Sequence, residues 1–385
     1  MADRKAQAAR RSTTPPRRIA VLGAGSWGTT FAKILADGGN EVVLWARRPE
    51  LAREINEVKR NSDYLEGVNL PRDLRATSHL GEAMRGAEQV FVSIPSQTLR
   101  SNLDAIAPHL GPSTIVVSLM KGVEKGTGLR MSEVLAQGLP VEEERIAVVS
   151  GPNLALEIAR EQPTASVVSS VSLETAQTVA MAATNRYFRS FVNTDVIGTE
   201  FGGVLKNLIA VAIGIVDGVG YGENTKASII TRGLVEMTDF AVAYGAEAPT
   251  LSGLAGLGDL IATCESPLSR NNTAGRLLGQ GYSFNDVVKQ MNQTAEGLAS
   301  VAPILRLAEE RGVEMPIVRQ VSQVLAGTLD PKDIAPHLTT DDDEPQGERT
   351  TDDGQGRSRT SVWRSLKRAF DQLRDGGGSA GGDRS

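Results

Sequence analysis

Lys206 stands at the head of a strongly apolar helical stretch, in Glu200-Phe-Gly-Gly-Val-Leu-Lys206-Asn207-Leu-Ile-Ala-Val-Ala212. An amine there either snorkels its charge to water or is held partly buried. In the second case desolvation and nearby cations draw its pKa down from ~10.4 and make it a usable proton donor and acceptor. Asn207 beside it can orient a ligand or bond the backbone. Lys121 ends an apolar run in Leu119-Met-Lys-Gly122 and is either a second ammonium entering a crevice or a surface lysine in a turn. Ser150-Gly151-Pro152-Asn153 follows another apolar run and opens a helix over Leu154–Arg160, whose free N–H groups can hold a substrate oxygen. Asp259, in Gly256-Leu-Gly-Asp-Leu260, either caps a helix or accepts a bond from Lys206 or a substrate hydroxyl. Ser269, Arg270 and Asn271 bring a hydroxyl, a guanidinium and an amide to one helix start, which is a phosphate clamp or an N-capping serine beside an incidental arginine. Glu296 either reaches a nucleotide hydroxyl or is a surface acid. Together these residues suit proton transfer beside a held phosphate.

The chemistry needs a second reactant, and Ile19-Ala-Val-Leu-Gly23-Ala24-Gly25-Ser26-Trp27-Gly28 points to it. A strand-like run enters G-x-G-x-x-G, and a helix-like run, Thr29–Ala36, leaves it. Gly23 permits the tight turn, Gly25 lets backbone approach a pyrophosphate, and Gly28 lets helix and strand pack closely; the helix N-terminus faces the anion. In this strand–turn–helix context the pattern predicts a dinucleotide site. The second strand, Glu41–Trp45, ends in Ala46-Arg47-Arg48, where an NAD site commonly has an acid for the ribose 2′-hydroxyl. Two guanidiniums can hold a 2′-phosphate instead. The alternative is that the two arginines are a solvated surface pair, and the cofactor expected is NADPH or NADH.

The elements that must position these groups fall into two kinds. Strands are expected at Ile19–Leu22, Glu41–Trp45, Gln89–Ile94, Thr114–Leu119 and Ile146–Val149, with further candidates at Ala165–Ser169 and Phe188–Val192, alternating with helical stretches. That predicts an α/β Rossmann domain with a mainly parallel sheet over 18–193. Right-handed crossovers then put the strands' carboxyl ends on one edge, gathering Gly23, Arg47, Pro95, Lys121 and Gly151 into one crevice. From 194 to 329 helical segments take over, the longest Ile197–Val216 and Thr225–Tyr244, giving an all-α substrate and catalytic domain.

The flanks differ. Residues 1–17 read as a disordered basic tail. Residues 330–385 read as a disordered tail with the acidic run Asp341–Glu344 and an amphipathic helical candidate over 361–374. That candidate sets Trp363, Leu366, Phe370 and Leu373 on one face with basic residues elsewhere, a pattern for a weak contact with an anionic membrane surface or a protein, or for a marginal helix.

Length of 385 residues suits two domains, 40% hydrophobic content is globular, and a net charge of −5 gives no nucleic-acid signature. The single cysteine, Cys264, excludes an intramolecular disulfide and fits a reducing compartment. Three histidines and one cysteine give little for a metal site, and none is expected. No apolar run long enough to span a bilayer and no signal peptide are read, so a soluble cytoplasmic protein is expected.

The blocks GAGSWGTT, VSIPSQ, MKG, SGPN, EFGGVLKNLIAVAIGIVDG, ITRGLVEM, LAGLGDLIATC and SRN, in that order, resemble the bacterial-type NAD(P)-dependent glycerol-3-phosphate dehydrogenase family over residues 18–328. The resemblance implies reversible reduction of dihydroxyacetone phosphate to sn-glycerol 3-phosphate, which feeds glycerophospholipid synthesis, and a homodimer. By motif, Lys206 resembles the family's proton donor and acceptor. Ser26, Trp27, Arg47, Lys121, Ala155, Arg270 and Glu296 resemble its nucleotide contacts, with Arg48 and Tyr64 as further cofactor candidates. Lys121, Gly151, Asn153, Asp259, Ser269, Arg270 and Asn271 resemble its substrate contacts. Asn153 departs from the family, which often has Ser or Thr there. A hydroxyacid or ketopantoate-type dehydrogenase is a rival of similar architecture; a silent NADPH-binding sensor acting through the C-terminal segment is a rival of another class.

Overall fold

The computed structural model describes residues 16–291 and 296–334. Strand β1 (Arg18–Leu22) feeds helix α1 (Ser26–Asp37), and β2 (Glu41–Trp45) feeds α2 (Pro49–Val58). The alternation continues through β3 (Arg75–Thr77), α3 (Leu80–Met84), β4 (Gln89–Val92), α4 (Leu99–Ile106), β5 (Ile115–Ser118) and α5 (Met131–Gly138). It closes with β6 (Ile146–Ser150), α6 (Ala155–Ala159), β7 (Thr164–Ser169), α7 (Leu173–Ala183) and β8 (Phe188–Asn193). The strands form one sheet in the order β3-β2-β1-β4-β5-β6-β7-β8, and β6–β7 is its one antiparallel pairing.

Both faces of that sheet are covered, which is why its strands read as unbroken apolar runs. In β1, Ile19 and Val21 pack with Phe31 and Ile34 of α1, while Ala20 and Leu22 pack on the other face with Leu99 and Leu103 of α4. The chain leaves β1 towards β2 on one side and later crosses to β4 on the other, opening a crevice beyond their carboxyl ends. Strands β1, β2, β4, β5 and β6 run the same way, so the residues that follow them do share one edge. β7 and β8 run opposite to these, contrary to the expectation that every strand ends there. β7 returns alongside β6, with the Ser166 hydroxyl donating to the Ser150 carbonyl at 2.7 Å. β3 was not expected; three residues at a sheet edge are too few for a periodic signal.

After β8 the described chain is helical: α8 (Val196–Val219), α9 (Glu223–Ala243), α10 (Ala248–Leu251), a π-helical turn over Leu254–Gly258, and α11 (Asp259–Glu265). Then come α12 (Arg270–Gly279), α13 (Phe284–Gln290), α14 (Glu296–Arg311) and α15 (Pro316–Leu325). The Asp195 carboxylate accepts the Gly198 N–H at 2.8 Å and starts α8; Gly220, at φ 96°, ends it. At 24 residues and mean hydropathy 1.6 this helix is long and apolar enough to cross a bilayer, yet 83% of its most apolar window is buried among the other helices. It is a core axis. Glycines let α12 cross it with backbones touching: a Cβ at Gly214 or Gly218 would strike the Asn272 or Arg276 carbonyl of α12.

Arg17, expected at the end of a disordered tail, is anchored by its guanidinium to the Thr178 carbonyl at 2.6 Å. At the other end a short turn, Pro331–Asp333, and buried Ile334 continue past 329, with the Tyr221 hydroxyl donating to the Lys332 carbonyl at 2.9 Å. The remaining parts of both expected tails, including 361–374, lie outside the described residues.

Candidate active site

One carboxylate organises the centre. Asp259, the first residue of α11, is 1% exposed and accepts two ammoniums: Lys206 Nζ on Oδ1 at 2.8 Å and Lys121 Nζ on Oδ2 at 2.5 Å. Lys206 also donates to Thr263 Oγ1 at 2.5 Å, and that hydroxyl donates to the Asp259 carbonyl at 2.7 Å. Lys206 is therefore buried and paired, not snorkelled to water. Lys121 makes its other bond to the Gly151 carbonyl at 3.0 Å. Each ammonium has three hydrogens and two protein partners, which leaves one donor apiece for a ligand. Burial draws the Lys121 ammonium down to about 8, against the pull of Asp259. Gly203 on α8 allows this meeting: a Cβ there would lie 2.8 Å from Ser150 Oγ and 3.4 Å from Lys121 Cγ.

The glycine turn lies at the head of the same sheet. Gly23, at φ 113°, has no room for a side chain against the Ser93 carbonyl, whereas a Cβ on Gly25 would meet only open space. Among the described residues no side chain caps α1, so its first N–H groups are left for an anion. At the end of β2, Arg48 is bound to Asp63 at 2.6 Å and lies over the Tyr64 ring, 5.7 Å from its centroid. Arg47 is exposed beside it.

Two family models match this chain: the NAD-dependent glycerol-3-phosphate dehydrogenase N-terminus over residues 18–176 and C-terminus over 195–336. The chain belongs to the NAD-dependent glycerol-3-phosphate dehydrogenase family. It is 86% identical over 369 residues to the glycerol-3-phosphate dehydrogenase (NAD(P)+) of Leifsonia xyli subsp. xyli, covering 94% of this chain and all of that one. It is 54% identical over 312 residues to the enzyme so named from Streptomyces griseus, covering 81% of this chain and 93% of that one. The crystal structure of glycerol-3-phosphate dehydrogenase from Coxiella burnetii matches it with a TM-score of 0.79 at 35% identity, over 84% of this chain and 99% of that one.

The residues present fit the family's dinucleotide. Beside the uncapped turn, the Trp27 indole N–H is buried and unpartnered among the described residues. Glu296, the first residue of α14, takes a bond from the Ser96 backbone and feels Arg270, Lys121 and Lys206, while burial pushes its carboxyl up. Ala155 begins α6 and its carbonyl accepts the Thr30 hydroxyl at 3.2 Å, tying that helix to α1. Near Gly151, both side-chain polar atoms of Asn153 are buried without partners among the described residues. An unpaired buried amide is costly, and it marks where a ligand's polar groups would be received.

The start of α12 is more committed. Ser269 caps the helix, accepting the Asn272 N–H at 3.2 Å, and Arg270 is exposed next to it. The Asn271 amide donates to Asn207 Oδ1 at 2.9 Å and accepts the Gly297 N–H at 3.0 Å, so it ties α8, α12 and α14 together. Sequence reading missed Thr263 and the side chain of Ser150. Thr263 stands one turn after Asp259 on the same helix face, a spacing that carried the signal. Ser150 was named only within a motif offering backbone N–H groups; its hydroxyl is buried with no partner among the described residues, and nothing in the sequence signalled that burial.

Proposed function

We propose that this chain reduces dihydroxyacetone phosphate reversibly to sn-glycerol 3-phosphate with NADPH or NADH, and that Lys206 gives and takes the proton. The observation that carries the reading is the buried Lys206–Asp259–Lys121 constellation, which leaves each lysine a hydrogen to spare. The nicotinamide ring supplies the hydride to the ketone carbon when bound. Negative charge then grows on the carbonyl oxygen, and Lys206 protonates it; Asp259 and Thr263 hold the ammonium on line. Lys121 steadies the developing charge. Arg270 with the start of α12 takes the phosphate, so binding remote from the reacting carbon sets its position. Gly151, Asn153 and Asn271 complete the substrate side. Ser26, Trp27, Arg47, Arg48, Tyr64, Ala155 and Glu296 serve the cofactor with the glycine turn, Arg47 taking a 2′-phosphate.

The product suits glycerophospholipid synthesis. A free, buried Cys264 supports a reducing, cytoplasmic setting, and the family resemblance supports a homodimer. The test follows oxidation of NADPH with dihydroxyacetone phosphate and with unphosphorylated dihydroxyacetone, in wild type and Lys206→Ala. The expected result is turnover with the phosphorylated ketone only, lost by about 10²–10⁴-fold in Lys206→Ala with NADPH affinity kept. A wild type that binds NADPH and turns over neither ketone would overturn the reading.

A further inference from the structure

The segment after α2 contains a fully buried polar side chain with no role so far, Asn61. Its Nδ2 donates to the Ala24 carbonyl at 2.9 Å and to Thr29 Oγ1 at 2.8 Å. Ala24 is the middle residue of the Gly23-Ala24-Gly25 turn, and the Thr29 N–H returns to the Gly25 carbonyl at 2.9 Å in the first turn of α1. One amide thus fastens both arms of the turn from outside it. Its Oδ1 has no partner among the described residues, so the side chain is placed for its donor.

A glycine-rich turn has the loosest backbone a chain can offer, and among the described residues nothing packs against the open face of Gly25. For its N–H groups to converge on a diphosphate, that freedom must be removed beforehand or at the expense of affinity. We infer that Asn61 is a positioning residue for the dinucleotide, presetting the Gly23–Gly25 turn and the head of α1 for a pyrophosphate. The inference rests on the dinucleotide reading above. Its signature is selective. Affinity for ligands that contain the pyrophosphate falls, while the adenosine 2′-phosphate end keeps its contacts, because the Asn61 side-chain amide bonds Ala24 and Thr29 and not Arg47, Arg48 or Tyr64. Chemistry at Lys206 is also untouched.

The experiment measures binding of NADPH by fluorescence titration and of adenosine 2′-monophosphate, which lacks a pyrophosphate, by displacement. Asn61→Asp keeps the shape and removes the donor. It is expected to raise the Kd for NADPH about tenfold or more, as a buried bond to a carbonyl is replaced by a clash of acceptors. The Kd for adenosine 2′-monophosphate and the kcat at saturating cofactor should stay near wild type. Thr29→Val removes one of the two acceptors without changing volume and should give a smaller loss of about threefold, with Thr29→Ser restoring wild-type binding. This pair carries the test if Asn61→Asp does not fold. NADPH affinity unchanged in Asn61→Asp and Thr29→Val, or both ligands weakened alike, overturns the inference. A wild type that takes up no NADPH overturns the dinucleotide reading itself, a result distinct from variants that bind as wild type does.

Discussion

Lys121 is the residue whose environment makes the sharpest demand. In the free enzyme its ammonium titrates near 8, because burial outweighs Asp259, and the nearby Lys206 charge adds to the shift. The charged form is the one that can steady an oxyanion, and it is lost as pH rises through that value. The kcat/KM for dihydroxyacetone phosphate reports groups of the free enzyme, so it should fall above pH about 8. Stability has the opposite trend. Between about 8 and the unfolded value of ~10.4 the unfolded chain binds the extra proton, so the ligand-free protein should gain stability with pH across that window. Lys121→Arg, whose guanidinium does not titrate there, should abolish both trends at reduced activity. A kcat/KM flat through this range in wild type would remove Lys121 from the ionising groups that matter. The pair Lys206 and Asp259 was legible as residue types in helical context, because an amine and an acid among apolar neighbours have few fates. A bond from Lys206 to Asp259 was among the readings; that Lys121 shares that carboxylate was not legible, since the chain between Lys121 and Asp259 gives no hint of distance. Asn61 was silent for a similar reason: an asparagine in a polar loop looks like any other until burial is known.

At the scale of elements, α15 shows how a helix start can be built from a distance. Met315 offers no side-chain cap, and Glu236 of α9 accepts the Ile317 N–H at 2.8 Å in its place. A carboxylate at a helix N-terminus is favoured by the dipole, but here burial wins and pushes the Glu236 carboxyl up to about 7. Its Oε2 has no partner among the described residues. The folded-state value lies above the unfolded ~4.3, so between them the fold holds a proton that the unfolded chain has released. Stability from this group is therefore present at low pH and lost as pH rises to about 7. Glu236→Gln keeps an acceptor for Ile317 and removes the charge. It should raise Tm by roughly 2–4 °C at pH about 8 and leave it almost unchanged at pH about 4, below the unfolded value. An equal shift at both pH values would mean that packing, not ionisation, sets the cost. Most helices and strands could be read from the sequence because both sheet faces and the α8 axis are buried, which writes strong apolar runs. The reversal of β7 could not, since a buried strand has the same pattern in either direction. Nor could the π-helical turn at Leu254–Gly258, which differs from an α-helix only in its hydrogen-bond partners.

The whole molecule works only if the sheet half, which carries Lys121, meets the helical half, which carries Lys206 and Asp259. Besides Asp259 itself, a second buried carboxylate makes that junction. Glu200, near the start of α8, accepts Arg130 Nη1 at 2.8 Å, the Ser132 N–H at 2.9 Å and the Ser132 hydroxyl at 2.5 Å, at the head of α5. Its side chain is 5% exposed and that of Arg130 13%. Burial pushes the Glu200 carboxyl up, and Arg130 and Ser132 hold it down. Such a pair adds little net stability as a unit, but losing Glu200 leaves the largely buried Arg130 with the partly exposed Glu133, 3.2 Å away, as its remaining counter-charge. Glu200→Ala should therefore lower unfolding free energy by about 2–3 kcal/mol, less than for a charge left with no partner, read from urea denaturation. Replacing both partners, as Glu200→Leu with Arg130→Met, should recover most of that loss, because nothing charged is left buried. Activity provides the second readout. Lys206 lies farther along the same helix as Glu200, so a loosened junction should raise KM and lower kcat together in Glu200→Ala. The double variant should regain stability without regaining full activity, because apolar packing restores cohesion but not the geometry that three directed bonds to one carboxylate impose. A double variant as active as wild type would show that the junction needs only to be filled.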